Sequence, residues 1–146
     1  MMDKYMDLAI DEANIAFECD EVPVGVVIVK GGKVLTKQHN TSYKTNCAIN
    51  HAEILAIKEA SKKLNDWRLS DCEMYVTLEP CPMCAGAILQ SRIKKVYIGT
   101  YSNIRANREI LANIFENADF YHKVEYEYMN NLKCSEILTN FFVKKR

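Results

Sequence analysis

The chain has 146 residues, 49% apolar and 26% charged, which are the proportions of an ordinary globular domain. Lys plus Arg equals Asp plus Glu at 19 each, so the formal charge is zero and composition does not advertise a nucleic-acid partner. No run of eighteen apolar residues occurs and the first turns carry Asp3, Asp7, Asp11 and Glu12, so the expectation is one domain, 1–146, with no targeting segment and no membrane span, in the cytoplasm.

Tyr5, Ala9, Ala13, Ala16 and Phe17 recur at helical spacing and predict an amphipathic helix over 3–18. Val24 to Val29 is β-branched and predicts a strand. Gly31-Gly32 then signals a hairpin into a second short strand, from Val34 to about Lys37. Residues 38–50 are polar and irregular. Ile54, Leu55, Ile57 and Leu64 suit a helix over 52–64, and Met74 to Leu78 suits a strand. Pro82 fits the first turn of a helix that runs to about Gln90. A strand over 95–100, a helix near 107–116, a strand near 123–129 and a helix over about 131–142 complete the order. Strands separated by helices imply a central sheet covered on both faces, and the opening hairpin makes that five-stranded sheet mixed.

Two segments carry chemistry: Asn50-His51-Ala52-Glu53 and Glu79-Pro80-Cys81-Pro82-Met83-Cys84. Each falls at a helix start, where free N–H groups and a partial positive charge favour thiolates. C-x-x-C lets one helical turn bring both sulfurs to one ion, and His51 from the other helix supplies a nitrogen. Two thiolates and one imidazole suit Zn²⁺, and three protein ligands leave a fourth tetrahedral position open, as catalytic zinc requires. Glu53 lies two residues past His51 and is placed to move protons without binding metal. H-x-E followed about thirty residues on by P-C-x-x-C is the signature of the zinc base deaminases. Taken alone, Cys81 and Cys84 also read as a thiol-disulfide pair, or as part of a structural zinc with a distant fourth cysteine. Cys19, Cys47, Cys72 and Cys134 read as small buried apolar residues, and His39 and His122 as ordinary histidines. The basic clusters Arg92, Lys94, Lys95 and Lys144, Lys145, Arg146 read as solvated surface.

At these residues the chain resembles the cytidine deaminase superfamily and, within it, the bacterial tRNA-specific adenosine deaminases. The matching text is Glu21-Val22-Pro23-Val24-Gly25, Asn40, His51-Ala52-Glu53-Ile54, and the run from Tyr75 through Glu79-Pro80-Cys81-Pro82-Met83-Cys84 to Ala87. Ser91-Arg92-Ile93 and Phe141-Phe142 also match. The resemblance implies a three-layer α/β/α sandwich, a homodimer with its site near the subunit boundary, and hydrolytic conversion of adenosine to inosine in a tRNA anticodon loop. It implies Zn²⁺ held by His51, Cys81 and Cys84, with Glu53 as acid and base. Asn40, Ala52, Pro80, Phe141 and Phe142 become the substrate-side residues: Asn40 on the base edge, the Ala52 N–H at the attacked centre, the Phe pair near the RNA.

Three departures accompany the match. Cys47-Ala48-Ile49-Asn50 replaces the family's usual Asp-Pro-Thr-Ala. Ser102 stands where the family has an Asp, without the glycines that normally follow. The net charge is neutral. A free base or nucleoside such as guanine is therefore the alternative substrate. A degenerate zinc-binding interaction module is the non-enzymatic alternative, which intact Glu53 disfavours. The loop around Ser102 separates the two substrates: an open groove suits RNA and a lid suits a small molecule.

Overall fold

The computed structural model describes residues 2–145, so Arg146 of the last basic cluster lies outside the described residues. Helix α1 (Met2–Glu18) leads into the hairpin of strands β1 (Gly25–Lys30) and β2 (Lys33–His39). Gly31 and Gly32 sit at φ 56° and 77°, the positive pair that a tight primed turn demands and that glycine adopts without steric cost. The segment expected to be irregular holds a short helix, α2 (Ser42–Thr45), closed by Asn46 in the left-handed region. Thr41 stands at its N-cap but makes no side-chain capping bond. The cap comes from Glu21, whose carboxylate accepts the Tyr43 and Lys44 N–H groups at 2.9 and 2.6 Å. Next come α3 (Ala52–Leu64), β3 (Cys72–Leu78), α4 (Pro82–Gln90), β4 (Lys95–Thr100), α5 (Ala106–Glu116), β5 (Glu125–Tyr128) and α6 (Leu132–Lys144).

The five strands form one mixed sheet in the order β2-β1-β3-β4-β5. β1 is antiparallel to β2 and β3, whereas β3, β4 and β5 run parallel. Alternation along the strands divides the core in two. Val26, Ile28, Met74, Val76, Val96 and Ile98 face Ala52, Ala56, Ala60, Ala85, Ile88, Leu111 and Phe115 of α3, α4 and α5. Val27, Val29, Tyr75 and Tyr97 face Tyr5, Met6, Ala9 and Ile10 of α1 and Cys134 of α6. The result is the expected three-layer α/β/α sandwich.

Two glycines set how closely the α1–α6 layer approaches. A Cβ at Gly25 would stand 1.8 Å from the Ala9 carbonyl oxygen, and one at Gly99 would stand 2.5 Å from Cys134 Sγ. Cys72 and Cys134 are buried as expected. Cys19 is exposed and Cys47 half-buried, and all six cysteines are free thiols. His39 pairs with Glu12 at 2.9 Å, and His122 Nε2 meets the Ile93 carbonyl at 3.0 Å. The basic clusters are largely committed to neighbours. Arg92 lies 4.0 Å over the Tyr121 ring, Lys95 bonds Glu127, and Lys144 and Lys145 flank Asp20. Among the described residues no helix is long and apolar enough to cross a membrane.

Candidate metal centre and base cavity

His51 is the N-cap of α3 and Cys81 the N-cap of α4, both with extended backbone and neither with a side-chain bond to its own helix. An N-cap side chain that leaves the helix uncapped is free to turn outward. These two turn toward each other, and Cys84, one helical turn on, joins them. His51 Nδ1 lies 3.6 Å from Cys81 Sγ and 3.5 Å from Cys84 Sγ. The three ligand atoms all fall within 4.8 Å of one another. Zinc bonds of about 2.3 Å to sulfur and about 2.05 Å to nitrogen, at a tetrahedral angle, separate N from S by about 3.6 Å. The donor set and its spacing therefore fit one zinc ion without rearrangement.

The electrostatics describe a site built for a cation. Donation from Cys84, with His51 also adjacent, lowers the Cys81 thiol to about 4. Cys84 is pushed up, first by its bond to the Cys81 sulfur and then by burial. The Cys81 sulfur in turn raises His51. Ionising the second of two neighbouring sulfurs is costly without a positive partner. A divalent ion removes that conflict. Glu53, on the first turn of α3, is buried, and loss of solvent pushes its carboxyl up to about 7.

A cavity of about 270 Å³ opens over this cluster, lined by Val24, Asn40, His51, Glu53, Leu78, Glu79, Cys81, Pro82, Ser102, Ile104 and Asn107 among others. Asn40 Oδ1 accepts the Ala52 N–H at 2.8 Å. A backbone N–H only donates, so the amide orientation is fixed and Nδ2 remains as a donor at the cavity wall. The Ala52 N–H is thereby spent on orienting Asn40 rather than left for a substrate. Pro80 is buried, and its carbonyl accepts from Asn107 Nδ2 at 2.9 Å. The Phe pair divides. Phe141 is buried edge-on against Phe17, with centroids 5.9 Å apart, whereas Phe142 is 46% exposed. Phe142 lines a second cavity of about 530 Å³ between α6 and the loop 100–104, and this cavity shares Val22, Leu78, Ser102 and Ile104 with the first.

Sequence reasoning passed over a buried polar cluster in the cavity wall. Glu79 accepts from Asn107 Nδ2 at 2.8 Å and from the Tyr128 hydroxyl. Burial, then the adjacent carboxylate, keep that phenol protonated by raising its pKa. Glu79 was visible inside the cysteine motif, but its partners lie 28 and 49 residues away, and no local pattern links them.

Fold and site together define a deaminase of the cytidine deaminase fold. The profile of the MafB19-like deaminases matches residues 2–146, and the chain belongs to that family. A tRNA-specific adenosine deaminase of Aquifex aeolicus is 42% identical over 97% of this chain and 94% of its own. A structure from a study of A-to-I editing by tRNA:A34 deaminases at the wobble position superposes with TM-score 0.85 at 36% identity, covering 92% of this chain and 99% of that one. A guanine deaminase of Bacillus subtilis is more distant, with TM-score 0.67 and 28% identity over 98% and 92% of the two chains.

Proposed function

We propose that this deaminase hydrolyses adenosine to inosine at the anticodon wobble position of tRNA, using zinc held by His51, Cys81 and Cys84. The observation that carries the chemistry is the N–S spacing of 3.5 and 3.6 Å above a buried carboxyl. Bound zinc supplies Lewis acidity that makes water a nucleophile near neutral pH. The remaining work belongs to the chain. One C–N bond breaks and one C–O bond forms at the purine carbon, and both protons of the water end on the ring nitrogen and the departing ammonia. Glu53, near 7, takes a proton at neutral pH and returns it, as a carboxyl tuned by burial does. Asn40 Nδ2 donates to an acceptor on the base edge, and the Ala52 N–H holds that amide in orientation.

The substrate assignment is supported by the relatives and by the shape around Ser102. The loop is largely exposed, and the base cavity shares Val22, Leu78, Ser102 and Ile104 with the second cavity, which reaches Phe142. A lone base has no use for that extension, whereas nucleotides flanking the target do. The reading carries with it a cytoplasmic compartment and a homodimer, which light scattering tests as a particle of twice the chain mass. An assay of inosine and ammonia release on an anticodon stem-loop with adenosine at the wobble position, beside free adenosine and guanine, decides the substrate. Turnover of the stem-loop alone is expected. Turnover of guanine or the nucleoside alone contradicts it.

A further inference from the structure

Glu79 is 97% removed from solvent and, among the described residues, no lysine or arginine pairs with it, an expensive arrangement unless both carboxylate oxygens are satisfied by neutral donors. Asn107 supplies one of those donors and Tyr128 the other. The Asn107 amide nitrogen uses its second hydrogen on the Pro80 carbonyl at 2.9 Å, so one NH₂ group pins two consecutive residues immediately before Cys81. Asn107 itself is buried, lines the base cavity, and lies on the first turn of α5 just after the loop that carries Ser102 and Ile104. Tyr128 adds a second tie to the same loop, since its ring stacks on Tyr101 with centroids 4.3 Å apart.

We propose that Asn107 is a positioning residue that joins the metal-bearing turn to the base-side loop, so that one buried amide sets both the Cys81 sulfur and the cavity wall. The inference rests on the metal reading above. Without Asn107 a buried carboxylate and a buried carbonyl both lose their donor, and the backbone before Cys81 relaxes to find water. The wall that bears Ser102 and Ile104 relaxes with it.

The test is zinc retention by the holoprotein against a graded chelator, read alongside KM and kcat. Wild type is expected to hold one zinc. Asn107→Leu, near in volume and without a donor, is expected to lose zinc roughly tenfold more readily and to show a raised KM. Tyr128→Phe removes a single hydroxyl, folds without strain, and is expected to show a smaller loss in the same direction. Val96→Ala, in the sheet core away from the cavity, controls for lowered stability alone. Wild-type retention in Asn107→Leu and Tyr128→Phe, or an equal loss in Val96→Ala at matched melting temperature, overturns the inference. Absence of zinc from wild type instead overturns the metal reading.

Discussion

In the absence of a cation Cys84 keeps its proton, because the sulfur beside it, Cys81, is the one held low. Zinc takes ligands deprotonated, so uptake near pH 7 must expel that proton. Calorimetric titration of the metal-free protein in buffers of different ionisation enthalpy is expected to give apparent enthalpies that track the buffer; buffer-independent enthalpies would mean the thiols were already ionised. Glu53 has a separable role. It adds no ligand atom to the His51, Cys81, Cys84 group, so Glu53→Ala is expected to keep one zinc per chain. Its kcat should fall by about 10²- to 10⁴-fold, the usual loss on removing a general acid–base. Metal analysis beside a single-turnover assay checks both halves, and normal turnover in that variant would displace Glu53 from proton transfer.

Adjacent residues of α6 face opposite tasks. Phe141 packs on Phe17 of α1, and truncation to Ala there is expected to cost about 3–5 kcal/mol in denaturant unfolding. Phe142→Ala removes an exposed ring from the second cavity, so stability is expected to change by less than about 1 kcal/mol while KM for the stem-loop rises. The reverse pattern would mean that Phe142, not Phe141, anchors the helix. Periodicity made such elements legible: 52–64, 82–90 and 95–100 are read from the sequence with the bounds the structure has. The helix Ser42–Thr45 was not legible, because the carboxylate that caps it stands more than twenty residues upstream at Glu21. The internal bonds of the Ala52 N–H to Asn40 and of the Pro80 carbonyl to Asn107 were not legible either, because their partners lie 12 and 27 residues away.

Across the whole molecule the His51, Cys81 and Cys84 group connects two helices of one layer, since His51 opens α3 and Cys81 and Cys84 open α4. An ion bound only by the folded chain stabilises it by mass action, so chelation is expected to lower the melting temperature and re-addition of zinc to restore it. An unchanged melting temperature after complete metal removal would contradict an ion that ties α3 to α4. The motif that names this cluster was legible because its chemistry is local, one imidazole at the start of α3 and two thiols within one turn at the start of α4. The groove between α6 and the loop after β4 was not, since it exists only once residues 22, 78, 102 and 142 are folded together. Its continuity with the base cavity through Val22, Leu78, Ser102 and Ile104 is what supports RNA over a free base, despite a neutral net charge. X-ray absorption at the zinc edge of the purified protein tests the core of this account most directly. Two sulfurs near 2.3 Å, one nitrogen near 2.05 Å and one further light atom are expected. A shell of three or four sulfurs, or four protein ligands with no exchangeable position, would contradict it.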